Sequence, residues 1–327
     1  MRNVVSDPPA IRTASEVEML DWMEVSCFLS RRGCFTFDEL LSASEIEIES
    51  DHGRQLSDID TDADSLSLKV DSEVRSRETE LGEAYPFVYS DRGTLSLRAN
   101  WQKSPSHVAY LFCLLVGSAV RGGVLQSKLA NTSDLRNARG LFQIVATVAT
   151  AGIVGGPTYS LGYPRPDRSR LHTKLRSVWT ACRDGVVRLR ARKIRRKAND
   201  AGIDVIAWEP RPDRVRIHRI VAFGQAATGA DYRDKPFLSD IDAFLDDWFS
   251  TRPRAQIEAW TLVPFLVQTT EAKRWRHHLG ALAGRQIVAL RVGRGMALAT
   301  DGIIVEQARD WPKVRRWVTA VRKKLRS

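Results

Sequence analysis

Two short apolar runs constrain this chain more than any other feature. GIDVIAWEP at 202–210 and RIVAFGQAATG at 219–229 are dense in Val, Ile, Phe and Trp. Each has the length of a strand and is too short for a typical helix. The intervening Pro210-Arg211-Pro212-Asp213 suits a turn, so the pattern predicts a hairpin of strands at 203–208 and 219–226. A strand's period of two puts Asp204 on the face of Ile206 and Trp208, and Gln225 on the face of Phe223 and Ala227. Pairing the strands would bring Asp204 and Gln225 together. An acid and an amide among core residues each need a partner, because burying a polar group without one costs roughly 2–7 kcal/mol. The chemistry of the chain is expected at this pair.

Around the hairpin the pattern reads as α/β. Met19, Leu20, Met23 and Cys27 fall at helical spacing in EVEMLDWMEVSCFLS, a helix expected to end by Gly33. A second helix begins at 37–41, and the acidic ESDHGRQLSDIDTDADS reads as a loop. Its Asp58, Asp60 and Asp62 lack the glycine and closing glutamate of a calcium loop. A hairpin turning at Asp91-Arg92-Gly93 follows, then apolar helices around 110–119 and 141–150. Beyond residue 139 the expected order is helix, basic helix, two strands, helix at 239–249 capped by Ser239, strand at 256–266, and a basic helix at 312–325. A division near residue 135 gives an acidic, mainly helical domain at 1–135 and a basic domain at 136–327.

Charge divides the chain in the same way. Residues 1–90 hold 20 acidic against 8 basic side chains, a net of −12 in a chain of net +11, which leaves +23 for the rest. The stretch 165–197 alone carries 13 Lys and Arg against two Asp. Such density suits a surface facing phosphates, with Lys174, Arg176, Arg188, Arg190, Arg192, Lys193, Arg195, Arg196 and Lys197 as the contacts. The partner expected is one that bears phosphates, the alternative being a solvated helix face, and the acidic domain is the candidate surface for a protein partner.

Four scattered cysteines without a CxxC pair argue against a zinc site or a disulfide framework. The first residues lack the basic start and apolar centre of a signal peptide. The apolar stretches at 108–120 and 140–157 read as buried helices, the first too short to span a bilayer and the second rich in Thr, Gly and Ala. A cytoplasmic protein with no membrane partner is expected.

GIDVIAW followed by VAFGQAATG resembles the PD-(D/E)XK restriction-endonuclease-like nucleases, especially the Mrr-like branch in which glutamine replaces the second acid. GLFQIVATVATAGI is similar to that branch's first helix, and the likeness covers residues 139–266. The resemblance implies a mixed sheet flanked by helices and a DNA endonuclease dependent on Mg²⁺ or Mn²⁺, of the kind used in prokaryotic defence or restriction. It assigns Asp204 and Gln225 to the metal, and it implies a lysine that stabilises developing negative charge. That lysine belongs two residues after Gln225, where this chain has Ala227, so the role passes to Lys235. In the first helix Gln143 stands where the family offers a glutamate, leaving Asp204 as the certain carboxylate, with Glu209, Asp200 or Glu83 as possible additions. Symmetric cutting of both strands would favour a homodimer. The rival expectation is an inactive nucleic-acid-binding or scaffolding subunit of a defence complex.

The remaining motifs read as structural. His277 and His278 suit an exposed helix, and RVGRGMALATDG lacks the lysine of a phosphate loop and reads as a strand turn.

Overall fold

The computed structural model describes residues 15–48, 56–121, 133–191, 202–210 and 219–326, with Val5, Pro9, Val124 and Leu125. They form two compact units, residues 1–138 with 315–327 and residues 139–314. The sequence-derived division at 135 keeps the C-terminal basic stretch in the second domain, whereas the structure groups it with the first.

In the first unit, α1 (Glu16–Leu29) starts with a capping box: Glu18 N–H donates to Ser15 Oγ, and Ser15 N–H donates to Glu18. Strand β1 (Cys34–Thr36) precedes α2 (Phe37–Ile48) and the long α3 (Leu56–Leu81). The second half of the acidic stretch expected as a loop is thus helical, Asp58, Asp60 and Asp62 included. The expected hairpin forms as β2 (Phe87–Tyr89) and β3 (Thr94–Leu97), and β1 adds to it in the antiparallel order β1-β3-β2. Helix α4 (Pro105–Val120) is buried along most of its length. A buried cluster joins these elements: Arg77 on α3 donates to Asp21, Glu24 and Glu73, and Tyr85 and Tyr110 donate to Glu24. Both Arg77 and Glu24 are fully buried, and the surrounding hydrogen bonds satisfy the pair.

Helix α5 (Ser133–Val154) leads into the second unit. It is long and apolar enough to cross a membrane, yet 67% of its most apolar window is buried within the fold. Strand β4 (Thr158–Ser160), α6 (Leu171–Cys182), β5 (Val186–Val187), β6 (Val205–Glu209) and β7 (Ile220–Ala226) follow. Then come α7 (Phe237–Trp248), β8 (Phe249–Thr251), β9 (Gln256–Leu262), α8 (Thr269–Leu279), β10 (Ala281–Ala283) and α9 (Arg285–Thr300). Helix α10 (Trp311–Arg326) closes the chain and from residue 315 belongs to the first unit.

The second unit is mixed α/β. Its five-stranded sheet has the order β10-β9-β7-β6-β4, antiparallel from β4 through β7 and parallel from β7 to β10. The period of two sorts its faces. Ile206, Trp208, Val221 and Phe223 pack on one side with Leu175, Trp179 and Phe244 of α6 and α7. The small Ala207 and Ala222 turn to the other side, where Val154 of α5 meets them. Strands β5 and β8 pair separately, so the expected basic helix ends at Cys182, with Arg183 left-handed at φ 58°.

The glycine-rich RVGRG stretch is helical, not a strand turn, because its glycine makes room for another helix. A Cβ at Gly295 of α9 would lie 2.0 Å from the Val148 carbonyl oxygen of α5, and one at Gly152 would lie 1.9 Å from that of Arg291. The two helices therefore cross with their backbones in contact. Helix α7 starts at Phe237 with Pro236 as its cap, two residues before the expected Ser239.

Candidate active site

Strands β6 and β7 pair antiparallel as the alternation requires, while the turn expected after Pro210 lies outside the described residues. Ile206 pairs with Phe223 and Val205 with Gly224, and continuing that register by one residue sets Asp204 opposite Gln225. Asp204 N–H donates to the Gly224 carbonyl at 2.9 Å, and Asp204 Oδ2 accepts from Ala226 N–H at 2.8 Å. The Asp204 carbonyl takes three donors: the N–H groups of Leu161 and Gly162, at 2.7 and 3.1 Å, and Gln143 Nε2 at 2.9 Å. Main chain and side chain of this residue are thus both held.

Gln143, on α5, also donates to Ser160 Oγ at 3.1 Å. Its Oε1 and Asp204 Oδ1 approach the same glycine, since a Cβ on Gly162 would sit 2.6 Å from the first and 3.0 Å from the second. Gly162 thus leaves space in front of both oxygens that any side chain would take. Gln225 is 6% exposed; its Nε2 makes a long 3.4 Å bond to the Gly202 carbonyl, and its Oε1 is buried without a hydrogen-bond partner among the described residues. A buried amide oxygen left unpaired costs about 1–3 kcal/mol, a cost that a water or a ligand atom bound there would relieve.

Beside this pair lies a second group that the sequence did not reveal. Glu306, just beyond α9, accepts from Ser160 N–H at 2.7 Å and pairs with Lys174 of α6. Lys174 also meets Asp167 at 2.9 Å and lies 5.9 Å from the centre of the Tyr159 ring. Burial opposes the Lys174 charge, but Glu306 and Asp167 outweigh it and hold the ammonium above its ordinary value. Burial likewise opposes the Asp167 charge, yet hydrogen bonds from Lys174 and Ser169 bring its carboxyl down to about 2. Lys174 is therefore no exposed phosphate contact; at 5% exposure it is a buried ion-pair centre.

The other expected residues are distributed unevenly. Lys235 is half-buried between a short 3₁₀ turn and α7, and its ammonium makes no hydrogen bond or ion pair among the described residues. Arg233, the neighbouring cation, pairs with Glu271, which Tyr232 also reaches. Arg176 and Arg190 are exposed, and Arg188 is half-buried with Nε unpartnered among the described residues. Arg192, Lys193, Arg195, Arg196, Lys197 and Asp200 lie outside the described residues. Glu209 pairs with Arg219 at 3.8 Å, and Glu83 belongs to the first unit. Among the described residues no three His, Cys, Asp or Glu side chains converge as a metal site. A cation here would rest on one carboxylate and on amide oxygens, which are hard donors suited to Mg²⁺ or Mn²⁺ but weaker than a second acid. His277 is exposed and His278 half-buried at the end of α8.

Comparison with protein-family models, with curated proteins and with solved structures gave no match.

Proposed function

We propose that residues 139–314 are a restriction-endonuclease-like phosphodiesterase that cleaves DNA with a divalent cation, Mg²⁺ or Mn²⁺, bound at Asp204. The observation that carries this reading is the unpartnered Oε1 of buried Gln225, set across a strand pair from the Asp204 carboxylate. The order of elements supports it: α5, the antiparallel β4, β6 and β7, then α7 and the parallel β9. This is a mixed sheet flanked by helices, as the resemblance implies, with its acid one residue before β6 and its amide on the neighbouring β7.

Asp204 and Gln225 would hold the cation, and Gln143 would orient Asp204 through its carbonyl. A cation held there polarises a phosphodiester and lowers the pKa of a bound water. Lys235 supplies positive charge towards the phosphate, and Arg176, Arg188 and Arg190 continue the basic stretch that would follow the DNA backbone. Action against foreign DNA, a dimer for symmetric cutting and a partner on the first unit extend the same reading.

Among the described residues Asp204 is the one carboxylate set against Gln225, which favours a second reading, a non-catalytic DNA-binding subunit. Plasmid cleavage with and without Mg²⁺ or Mn²⁺ separates the two. Divalent-dependent cleavage that falls by about 10²-fold or more in Asp204→Ala, and similarly in Lys235→Ala with DNA affinity unchanged, supports the nuclease. Full cleavage by folded Asp204→Ala defeats it. DNA binding by a wild-type chain that cleaves nothing supports the second reading.

A further inference from the structure

The first unit, whose N-terminal 90 residues carry a net charge of −12, contains a cleft with the opposite character. It has a volume of about 430 Å³, within the range of small-molecule sites, roughly 300–1,000 Å³. One wall is the stretch after α1, at Arg31, with Trp101 and Gln102 from the 3₁₀ turn before α4. The other wall is one face of α10, where Thr319, Arg322, Lys323 and Arg326 recur at helical spacing. No lining residue is acidic.

Four cationic residues therefore line this cleft, and among the described residues none of them is paired with a carboxylate. The neighbouring acids are engaged by other bases: Lys324 takes Asp134 at 2.6 Å, and Arg32 takes Glu39. The lining is also held in place. Arg322 Nε donates to the Phe28 carbonyl at 2.7 Å, and its guanidinium lies 4.9 Å from the Phe28 ring centre and 5.9 Å from that of Trp101. Arg326 donates to the Arg31 carbonyl at 2.8 Å, tying the two walls together. Burial, then the charge of Arg326, pushes the Arg322 guanidinium below its ordinary value, as expected of a cation among cations with no anion near.

We infer that this cleft binds a compact oligophosphate, the di- or triphosphate group of a small molecule. Guanidinium groups suit phosphate oxygens because their planar fork matches two acceptors at once. An extended nucleic-acid strand would be served by a long basic stripe; here four cationic residues line one short cleft, a length suited to a short chain of phosphates. Trp101 is only 2% exposed and serves as the floor under Arg322, so it presents no face for a base to stack upon.

Calorimetry on the full chain with inorganic triphosphate and with a nucleoside triphosphate tests this. Arg322 carries packing of its own, so the informative variants are Arg31→Gln and Lys323→Gln, whose charged groups make no hydrogen bond among the described residues. One-to-one binding of triphosphate that weakens about tenfold for each cation removed, with unchanged melting temperature, supports the site. Equal affinity for the two ligands would identify a bare oligophosphate, and tighter binding of the nucleotide a nucleotide, both within the inference. Absence of triphosphate binding at millimolar concentration and low salt would overturn it. So would binding indifferent to both substitutions, or a duplex whose affinity falls with these variants but which triphosphate cannot displace.

Discussion

The crossing of α5 and α9 gives a test in which local propensity and tertiary structure disagree in sign. Alanine is favoured over glycine inside a helix by about 1 kcal/mol, so Gly152→Ala should stabilise the protein if the helix were alone. In the fold, the new methyl would lie 1.9 Å from the Arg291 carbonyl oxygen and 2.9 Å from Gly295 N, where ordinary contact begins at 3.4 Å. The obstacle is main chain, which has no rotamer to escape into, so the helices must part by about 1.5 Å. A gap of 0.5–1 Å already forfeits about a quarter to a half of the dispersion between facing atoms. Overpacking costs about 1–3 kcal/mol or more, and this site belongs at the upper end, leaving a net loss of about 2 kcal/mol after the propensity gain. At about 2–4 °C per kcal/mol, the melting temperature of this unit should fall by about 4–8 °C. Gly140→Ala in the same helix meets nothing within 4 Å and should rise by about 2–4 °C. Calorimetry of the full chain, with the transition of residues 139–314 identified by hydrogen exchange of β6 and β7 amides, measures both. A Gly152→Ala protein melting at or above wild type would refute the account of this crossing.

Two further predictions concern carboxylates of the second unit, one buried and one exposed. Asp184, 4% exposed, accepts the N–H groups of Arg254 and Ala255 at 2.9–3.0 Å, so Asp184→Ala should cost about 1–3 kcal/mol and Asp184→Asn less; urea denaturation with no change for alanine would rule this out. Asp167, held down to about 2 in the folded chain, lies below its unfolded value of about 3.9, so its contribution is full above about pH 4 and disappears as pH falls towards 2. Melting temperature followed across that window should drop less steeply in Asp167→Asn, and an identical slope would count against the Lys174 pairing.

What the sequence made legible was local. Alternation set the β6–β7 pairing and hence the juxtaposition of Asp204 with Gln225, because a period of two fixes faces without any distant information. The buried helices α4 and α5 were equally plain from their apolar runs. Lys174 was misread for the opposite reason: the Glu306 that helps neutralise it lies 132 positions away, and a run of bases looks exposed until its acids are found. The glycines of α9 suggested a break because their use, letting α5 approach, has no trace in neighbouring residues. Strands β1, β4, β5, β8 and β10 span only two or three residues, too few for a period to appear. The basic tail was given to the basic half by its charge, although aromatic contact between Trp317 and Phe112, 4.9 Å between ring centres, belongs to the first unit.

That discontinuity sets an order for how the protein is made. Residues 139–314 are synthesised between the two parts of the first unit, at about 5–20 residues per second, so the nascent N-terminal region waits on the order of ten to thirty seconds for α10. During this interval Phe112 lacks Trp317, and the rings of Phe28 and Trp101 lack the guanidinium of Arg322. The unit that begins first therefore stays incomplete until α10 is made, and its uncovered aromatic rings are open to chaperones in the meantime.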